Sequence, residues 1–370
     1  MNRDRHPIPG ISLLLVLVLL CFPVHAGDKA TTSLKMVFTG DIMGHDTQIA
    51  SSLATGGPGY DYHPCFQYLA PYLHDADIVV GNLEVTLAGP PYKGYPRFSS
   101  PDQLADALKA AGFDILVNAN NHALDRGASG LERTLEQLDA RGILHAGTFT
   151  GAGSRARSYP LVVEKNGIRV ALLNYTYGTN GLKVPPPLIV NRIDREQIRE
   201  DLRKAAGAKP DMIIVAMHWG TEYQRTENES QRELARFLFE HGAHVIIGSH
   251  PHVVQPVRGS GKGDLVVYSV GNLISNQRDR YRDGGIAFEL VIEKGPGGTR
   301  VAGHGYLPLW VYKPHTEKGT LFTLVPAATP PSTFTEYPMK ADDVIKMKQF
   351  LEDTRSNLAG TREVEPYWMD

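Results

Sequence analysis

Short apolar runs alternate with stretches of helical periodicity over the first two-thirds of the chain. Runs of about four to eight apolar residues are typical of interior strands, whereas apolar residues three and four apart are typical of helices. Strands are predicted at residues 34–39, 77–80, 114–117, 161–163, 168–175, 211–217 and 244–247. Helices are predicted at residues 101–111, 129–140, 194–206 and 230–242.

The later part of the chain is richer in consecutive strands, predicted at residues 265–270, 286–292 and 304–312. Lys165-Asn166-Gly167 predicts a hairpin turn, and Ser230 followed by Glu233 predicts a capped helix start. This order of elements indicates an α/β fold. Residues 27–326 are predicted as one domain, and residues 327–370 as a Pro/Thr-rich linker with an amphipathic helix at 341–358.

Residues 1–26 have the pattern of a secretory signal peptide. Arg3 and Arg5 precede an apolar run at 11–20, and Val24-His25-Ala26 offers small residues at a cleavage site. The run is short for a transmembrane span, and an uncleaved membrane anchor is the alternative. We therefore expect an exported protein of the periplasm, cell envelope or extracellular space, in contact with a membrane only if this segment is retained.

Charge and cysteine content narrow the class of protein. The formal net charge of −2 gives no basic field for a nucleic acid, so no nucleic-acid partner is expected. Cys65 is the one cysteine left after removal of residues 1–26, so no internal disulfide is expected in the mature chain. Stability must then come from the hydrophobic core.

Residue types that commonly bind metals directly follow several of the predicted strands. The stretches are Gly40-Asp41-Ile42-Met43, Gly81-Asn82-Leu83-Glu84, Asn120-Asn121-His122, His218-Trp219-Gly220 and Gly248-Ser249-His250-Pro251-His252. Residues just past the ends of interior strands collect at one edge of a sheet, so these groups should converge. His250 and His252 are two apart, and Pro251 favours an extended backbone that would point both to the same side.

Each stretch alone has a simpler explanation. Glycine and aspartate after a strand usually form a turn, Asn121-His122 suits a hydrogen-bonded loop, and His218 suits a packed interior histidine. Five such stretches at the same kind of strand end favour one or two bound divalent metals. Two metals in one cleft usually indicate hydrolysis of a phosphate ester or a related bond.

The order of these stretches resembles the calcineurin-like metallophosphoesterases, and within them the CapA family of bacterial capsule-synthesis proteins. The resemblance extends from residue 34 to residue 312. Further motifs that carry it are Asn120-Asn121-His122-x-x-Asp125-x-Gly127, His218-Trp219-Gly220-x-Glu222 and Ser269-Val270-Gly271-Asn272-Leu273-Ile274. It implies a four-layer αββα sandwich and a role in capsule or poly-γ-glutamate metabolism.

The resemblance also implies a set of metal ligands. Asp41 and His252 would bind a first metal, and Glu84 would bridge to a second. The remaining ligands of the second metal would be Asn121, His218 and His250. The cofactor would be one or two ions of Mn, Zn, Fe or Mg.

Catalytic and substrate-binding residues follow from the same motifs. His122 would act as a general acid or charge stabiliser, with Asp125 as a second catalytic residue. Substrate contacts would come from Asn82, Trp219, Glu222 and Asn272. The implied partners are an anionic polymer or a phosphorylated substrate, together with capsule synthesis or export machinery.

Met43 departs from the phosphoesterase pattern, which has histidine at this position. A thioether is a poor ligand for Mn, Mg or Zn, so the first metal loses a donor. His45, Asp46 or water could replace it, although a surface role is favoured for His45 and Asp46. A one-metal site, or a weakly bound second metal, is the alternative. Glu84 also stands in place of the usual aspartate, although its longer side chain can still bridge. A Met43→His exchange should restore the site if residue 43 faces the metal, and should do harm if it packs in the core.

Three functions stay open at this point. The first is a metal-dependent hydrolase, favoured by the intact Asn121-His122 pair. The second is a non-catalytic capsule or envelope component that binds a polyanion, favoured by Met43. The third is a binding module with a structural metal. Aromatic residues in nearby loops give a weak indication of polymer contact: Tyr175, Tyr177, Trp219, Tyr223 and Tyr281.

Overall fold

Two β-sheets packed face to face form the centre of the computed structural model, which describes residues 1, 31–53, 59–259, 263–317 and 319–367. The strands in chain order are β1 (Thr32–Ile42), β2 (Ile78–Leu83), β3 (Ile115–Val117), β4 (Leu144–Ala146), β5 (Thr148–Phe149), β6 (Leu161–Lys165), β7 (Ile168–Thr176), β8 (Ile189–Val190), β9 (Met212–His218), β10 (Val245–Ser249), β11 (Val257–Gly259), β12 (Leu265–Val267), β13 (Asn272–Ile274), β14 (Gly284–Gly295), β15 (Gly298–Tyr312), β16 (His315–Thr316), β17 (Gly319–Thr320) and β18 (Thr323–Pro326).

Helices cover the outer faces of both sheets. In chain order they are α1 (Asp46–Leu53), α2 (His63–Phe66), α3 (Ala70–His74), α4 (Gln103–Ala110), α5 (Gly127–Ala140), α6 (Ala152–Ser158), α7 (Arg195–Gly207), α8 (Glu229–Glu240) and α9 (Ala341–Asn357), with a 3-10 turn at Pro331–Thr333. None of these helices combines the length and apolar character that a bilayer span requires. The predicted signal segment at 2–26 lies outside the described residues.

The first sheet has the order β18-β15-β14-β1-β2-β3-β4, and β13 pairs with the end of β1. Strands β1 to β4 are mutually parallel, whereas β14, β15 and β18 run antiparallel to their neighbours. The second sheet has the order β11-β12-β10-β9-β7-β6, and its four inner strands are parallel. Both sheets therefore present the carboxyl ends of parallel strands, where loops can build a site.

Alternation along the strands creates three hydrophobic layers. On β1, Leu34, Met36 and Phe38 point into the core between the sheets, and that core also contains Val170 and Ile214 from the second sheet. Val37 points outward, where α2, α3 and α4 cover the first sheet. Helices α7 and α8 cover the second sheet in the same way. The predicted four-layer αββα sandwich is confirmed.

The strands and helices predicted from the sequence are all present, with shifted bounds. The start of α8 differs in detail: its N-cap is Asn228, whose side chain accepts from the Gln231 N–H while the Gln231 side chain accepts from the Asn228 N–H. Ser230 lies inside the first turn, so the predicted Ser230–Glu233 capping box is wrong. The short helices α1, α2, α3 and α6 carry too little periodicity to be predicted from sequence, because tertiary packing stabilises them.

The segment after residue 326 packs on the first sheet. Helix α9 lies at 341–357, as predicted, and its Phe350 and Met347 join Trp310 and Val325 in one buried cluster. Phe334, within the Pro/Thr-rich stretch, is buried in the same cluster. The end of the helix also reaches the loops of the second sheet, because the Asn357 amide donates to the Val254 carbonyl at 2.7 Å.

Candidate metal centre

The ends of β1, β2, β9 and β10 meet at one edge of the sandwich. Asp41 lies opposite Asn82 on β2 and opposite Asn272 on β13, and His218 lies opposite Ser249. Gly40 makes this approach possible, because a Cβ there would lie 1.8 Å from the Gly271 carbonyl oxygen. Close backbone packing therefore requires the glycine before Asp41, which lies within β1 and not in a turn.

The first sheet supplies two buried carboxylates. Asp41 accepts a hydrogen bond of 2.8 Å from the amide of Asn82, which also donates to Glu84 Oε2 at 3.5 Å. Asn82 is held in turn by the amide of Asn120, which donates to Asn82 Oδ1 at 3.2 Å and to the Leu83 carbonyl at 2.7 Å. These amides fix the direction in which both carboxylates point.

The second sheet supplies three imidazoles that face those carboxylates. His218 Nε2 lies 3.6 Å from Glu84 Oε1 and 2.8 Å from Asn121 Oδ1. His252 Nδ1 lies 3.1 Å from Asp41 Oδ2, and its Nε2 lies 3.9 Å from Glu84 Oε1. The ring of His250 is centred 4.8 Å from that of His218 and 6.0 Å from that of His252.

The backbone of the His250–His252 segment is not extended. His250 has φ of 96° and His252 has φ of 58°, both in the left-handed region that non-glycine residues rarely adopt. The predicted extended conformation is therefore wrong, although both rings do turn toward the carboxylates. Such backbone strain costs on the order of 1–3 kcal/mol per residue and persists where surrounding contacts enforce it. Here the His250 N–H donates to Asp41 Oδ2 at 3.3 Å.

Burial shifts the protonation of these groups in opposite directions. Burial, followed by the nearby charge of Asp41, raises the pKa of Glu84 well above its ordinary value. Burial would raise the pKa of Asp41 too, but the hydrogen bond and charge of His252 lower it overall. Burial and the neighbouring histidines lower the pKa of His218, and burial with His252 lowers that of His250 to about 3. Both imidazoles are therefore neutral and can act as ligands.

Two buried polar atoms at the centre make no hydrogen bond, Glu84 Oε1 and His250 Nδ1. Among the described residues, two overlapping groups place donor atoms within 4.8 Å of one another: Asp41, Glu84 and His218, and Glu84, His250 and His252. Glu84 belongs to both groups, as a bridging ligand requires. Imidazole and carboxylate donors suit Mn, Fe or Zn, so these residues fit one or two divalent ions.

His122 and Asp125 form a second pair beside the cluster. His122 Nδ1 lies 2.8 Å from Asp125 Oδ2, which also accepts the Phe98 N–H at 2.7 Å. The Phe98 ring packs edge-on against His122 with centroids 4.7 Å apart. The imidazole is thus fixed on one side by a carboxylate and on its face by an aromatic ring.

A cleft of about 380 Å³ opens beside these residues. Its lining is Tyr95, Pro96, Arg97, Asn121, His122, Asp125, Asn180, Leu182 and Glu222. Of the predicted substrate contacts, Glu222 lines the cleft. Arg97 and Asn180 line it too, although no motif in the sequence singles them out.

Three predicted substrate contacts lie elsewhere. Asn82 is buried behind Asp41, and Asn272 is buried behind His252, where Asn272 Oδ1 lies 3.0 Å from His252 Nδ1. Trp219 packs in the outer core of the second sheet and donates its indole N–H to the Tyr268 carbonyl at 2.9 Å. Its large apolar ring is more stable in that core than in a polar cleft.

Met43 and its neighbours do not complete the ligand set. Met43 is 2% exposed and packs in the outer core of the first sheet beside Ile42. Asp46 is turned away, paired with Lys93 at 3.1 Å on the surface. His45 packs edge-on against Phe98 at 5.3 Å, and its Nδ1 lies 3.0 Å from Gln48 Oε1 and 3.2 Å from the Asn276 backbone nitrogen.

Tyr175 and Tyr177 differ in their access to the cleft. Tyr175 is fully buried, with its hydroxyl donating to Asp201 at 2.9 Å, so it has no access to the cleft. Tyr177 is 43% exposed and its ring lies over His250 with centroids 4.5 Å apart. Tyr177 therefore covers the imidazole cluster on the solvent side.

Comparison with known proteins gives a consistent set of relatives. The model of the family described as bacterial capsule synthesis protein PGA_cap matches residues 35–277. The capsule biosynthesis protein CapA of Bacillus anthracis is 31% identical, over 67% of this chain and 61% of that protein, which is less than two-thirds of its length. The PGA biosynthesis protein CapA of Bacillus subtilis is 30% identical, over 79% of this chain and 78% of that protein.

Two solved structures align with most of this chain. The calcineurin-like phosphoesterase YfkN of Bacillus subtilis aligns over 88% of this chain and 99% of that chain, with 17% identity and a TM-score of 0.46. The NAD nucleotidase of Haemophilus influenzae aligns over 92% of this chain and 66% of that chain, with 12% identity and a TM-score of 0.49.

Proposed function

The chain belongs to the bacterial capsule synthesis protein family PGA_cap, and from that premise we propose that it is an exported, metal-dependent hydrolase. Its substrate is a phosphate ester or a bond in an anionic envelope polymer. The observation that carries this proposal is the arrangement of two overlapping donor groups around Glu84, with the His122–Asp125 pair beside them. A purely structural metal needs no imidazole–carboxylate pair next to it.

The ligand assignment follows the two donor groups. Asp41, Glu84 and His218 would hold one ion, and Glu84, His250 and His252 would hold the other. Asn121 would be a further oxygen donor beside His218. A bound divalent ion supplies Lewis-acid charge that lowers the pKa of a water and polarises a phosphoryl or carbonyl oxygen. This pairing differs from the one that the resemblance implies, since His250 groups with His252.

The surroundings of the His218 ring are compatible with the proposed ligand role. Its Nδ1 lies 3.1 Å from Ser249 Oγ, which can accept the Nδ1 proton when Nε2 faces an ion. Without an ion, Nε2 lies 2.8 Å from Asn121 Oδ1. Asn272 Oδ1 lies beside His252 Nδ1 in the way that Ser249 lies beside His218.

His122 has the geometry of a general acid. Asp125 accepts from its Nδ1 and stabilises the imidazolium, so that Nε2 can give a proton to a leaving group in the cleft. Asp125 is already held by the Phe98 N–H and is a positioning residue for His122.

A second candidate function is supported by Met43. Because that side chain lies in the outer core, residue 43 supplies no nitrogen donor beside Asp41. A component that binds an anionic polymer in capsule synthesis, without cleaving it, would tolerate such a loss.

Metal analysis of the purified mature protein, combined with a hydrolysis assay, tests both candidates. We expect at least one equivalent of divalent metal in the wild type, and a sharp fall in His250→Ala. Manganese-dependent hydrolysis of p-nitrophenyl phosphate or its bis ester supports the hydrolase. Metal without turnover favours the binding component, and metal content unchanged by His250→Ala would refute the site.

Export is proposed from the sequence of residues 1–26 and is tested separately. Amino-terminal sequencing of the protein from the native host should find the mature chain starting after Ala26. A retained segment would instead indicate an anchored protein.

A further inference from the structure

A groove of about 740 Å³ lies beside the cleft, on the other side of the loop that follows β7. Its lining consists of Tyr177, Gly178, Thr179, Asn180, Gly181, Leu182, Lys183, Val184, Leu188, Ile189, Val190 and Arg192. Asn180 and Leu182 line both the groove and the cleft, so the two spaces are separated by a single turn of chain.

That turn is well defined and is tied to the metal centre. Asn180 and Gly181 both have positive φ, and the Leu182 N–H donates to the Thr179 carbonyl at 2.9 Å, which closes the turn. The Asn121 amide donates to Asn180 Oδ1 at 3.3 Å. A ligand that crosses the turn therefore passes directly from the metal ligands into the groove.

The charged residues that line the groove are all positive. Lys183 and Arg192 are exposed, and neither side chain makes a hydrogen bond or an ion pair with any residue that the structure describes. The lining contains no carboxylate. By contrast, the neighbouring Arg155 is paired with Asp201 at 2.5 Å. Two unpaired cations in a concave surface attract anions more strongly than the same charges on a convex one.

The floor of the groove is aliphatic. Leu182, Val184, Leu188 and Val190 belong to one hydrophobic cluster beneath it. Such a floor favours methylene groups, whereas the two cations favour carboxylate or phosphate groups.

We propose that this groove is a subsite for an extended polyanion with an aliphatic backbone, whose reacting bond lies in the adjacent cleft. Lys183 and Arg192 hold anionic groups of the chain beyond the turn, and Tyr177 separates them from the imidazole cluster. The inference rests on the proposed function for the position of the reacting bond. It adds the residues that would distinguish a polymer from a small ester.

Binding is tested by fluorescence anisotropy with a short, labelled oligo-γ-glutamate on the metal-loaded mature protein. The Lys183→Gln/Arg192→Gln double variant should bind the oligomer on the order of tenfold more weakly and with less dependence on salt, because two exposed charge contacts are lost. The matched control is Lys346→Gln/Lys348→Gln, which removes the same charge from exposed positions of α9 and should leave binding unchanged.

A small substrate separates this inference from the proposed function. Turnover of p-nitrophenyl phosphate should be equal in the wild type and in the double variant, because that ester is too small to reach the groove. Lack of any turnover of p-nitrophenyl phosphate in the wild type refutes a phosphoesterase activity and leaves the binding test valid. Inorganic polyphosphate replaces the oligomer in a further arm, and tighter binding of polyphosphate would overturn the aliphatic assignment. Equal affinity of wild type and double variant for the oligomer would overturn the subsite itself.

Discussion

At the scale of single residues, Glu84 is a buried carboxyl group with one oxygen that has no hydrogen-bond partner when no cation is bound. Its pKa is raised by burial and by Asp41. A raised pKa means that the folded state is favoured where the carboxyl is protonated and loses that advantage as the pH rises through the folded pKa. Above that folded pKa, the ionised carboxylate therefore destabilises the metal-free protein.

Glu84→Gln should stabilise the metal-free protein, since the amide keeps the shape without the charge. We expect a gain of about 1–2 kcal/mol in the free energy of unfolding in the presence of a chelator, and loss of the stabilisation that manganese gives the wild type. Thermal unfolding with and without manganese measures both effects. Glu240→Gln, at the exposed end of α8 and away from the site, is the control that should change neither. A chelator-treated Glu84→Gln protein less stable than wild type would contradict this account.

Met43 gives a prediction in which the structure decides between two alternatives left open by the sequence. Because its side chain is buried beside Ile42 in the outer core, Met43→His should add no metal equivalent. Burial of an imidazole in an apolar cluster should instead cost about 2 kcal/mol or more. Metal titration and denaturant unfolding give the two readouts, with Met43→Leu as a control of similar volume. An additional equivalent of bound manganese would show that residue 43 can reach the site.

His122 and Asp125 should affect turnover and not metal content. His122→Ala should lower kcat on the order of 100-fold or more, because a general acid is lost, while the bound metal stays as in the wild type. Asp125→Asn should also lower kcat, because the imidazole loses the carboxylate that accepts from its Nδ1 and orients it. Elemental analysis beside the kinetics separates these roles, and equal loss of metal in both variants would place His122 in the coordination shell.

At the scale of elements, helix α8 shows how local sequence and structure differ. Asn228 caps the helix reciprocally with Gln231 and also donates to Thr221 Oγ1 at 3.2 Å, so it ties the helix to the loop that carries Glu222. Asn228→Ala should cost about 1 kcal/mol in the free energy of unfolding. Ser230→Ala should leave the free energy of unfolding unchanged. Urea unfolding compares the two variants, and a larger loss of stability in Ser230→Ala than in Asn228→Ala would show that Ser230 is the cap.

Elements, and the residues that meet at the candidate site, were predictable from sequence where one strong local pattern decided them. The buried strands carry continuous apolar runs, and Asp41, Glu84 and His218 follow such runs directly, so their convergence could be foreseen. The left-handed backbone at His250 depends on contacts distant in sequence and leaves no periodic signal. The same holds for Trp219, whose partner Tyr268 comes from another strand region, and for Arg97, which reaches the cleft only through tertiary folding.

At the scale of the whole molecule, the segment 327–367 behaves as part of the packed body. Phe350→Ala should cost about 3–4 kcal/mol, because Phe350 fills the cluster beneath α9 together with Trp310. Gln349→Ala, one residue away and exposed, should stay within about 0.5 kcal/mol of the wild type. Denaturant unfolding compares the two variants. If Phe350→Ala has the stability of the wild type, the segment does not contribute to the packed core and acts as a linker.

The donor atoms around Glu84 come from both sheets and from positions as far apart as residues 41 and 252. Each of the two donor groups combines residues of the first sheet with residues of the second, so an ion would be captured only after the two sheets have docked. Metal uptake would therefore follow the docking of the sheets. A chain that crosses a membrane unfolded, as proposed here, would take its metal from the compartment that it enters, and the free-metal levels outside the cytoplasm would choose among ions that the ligands alone discriminate weakly.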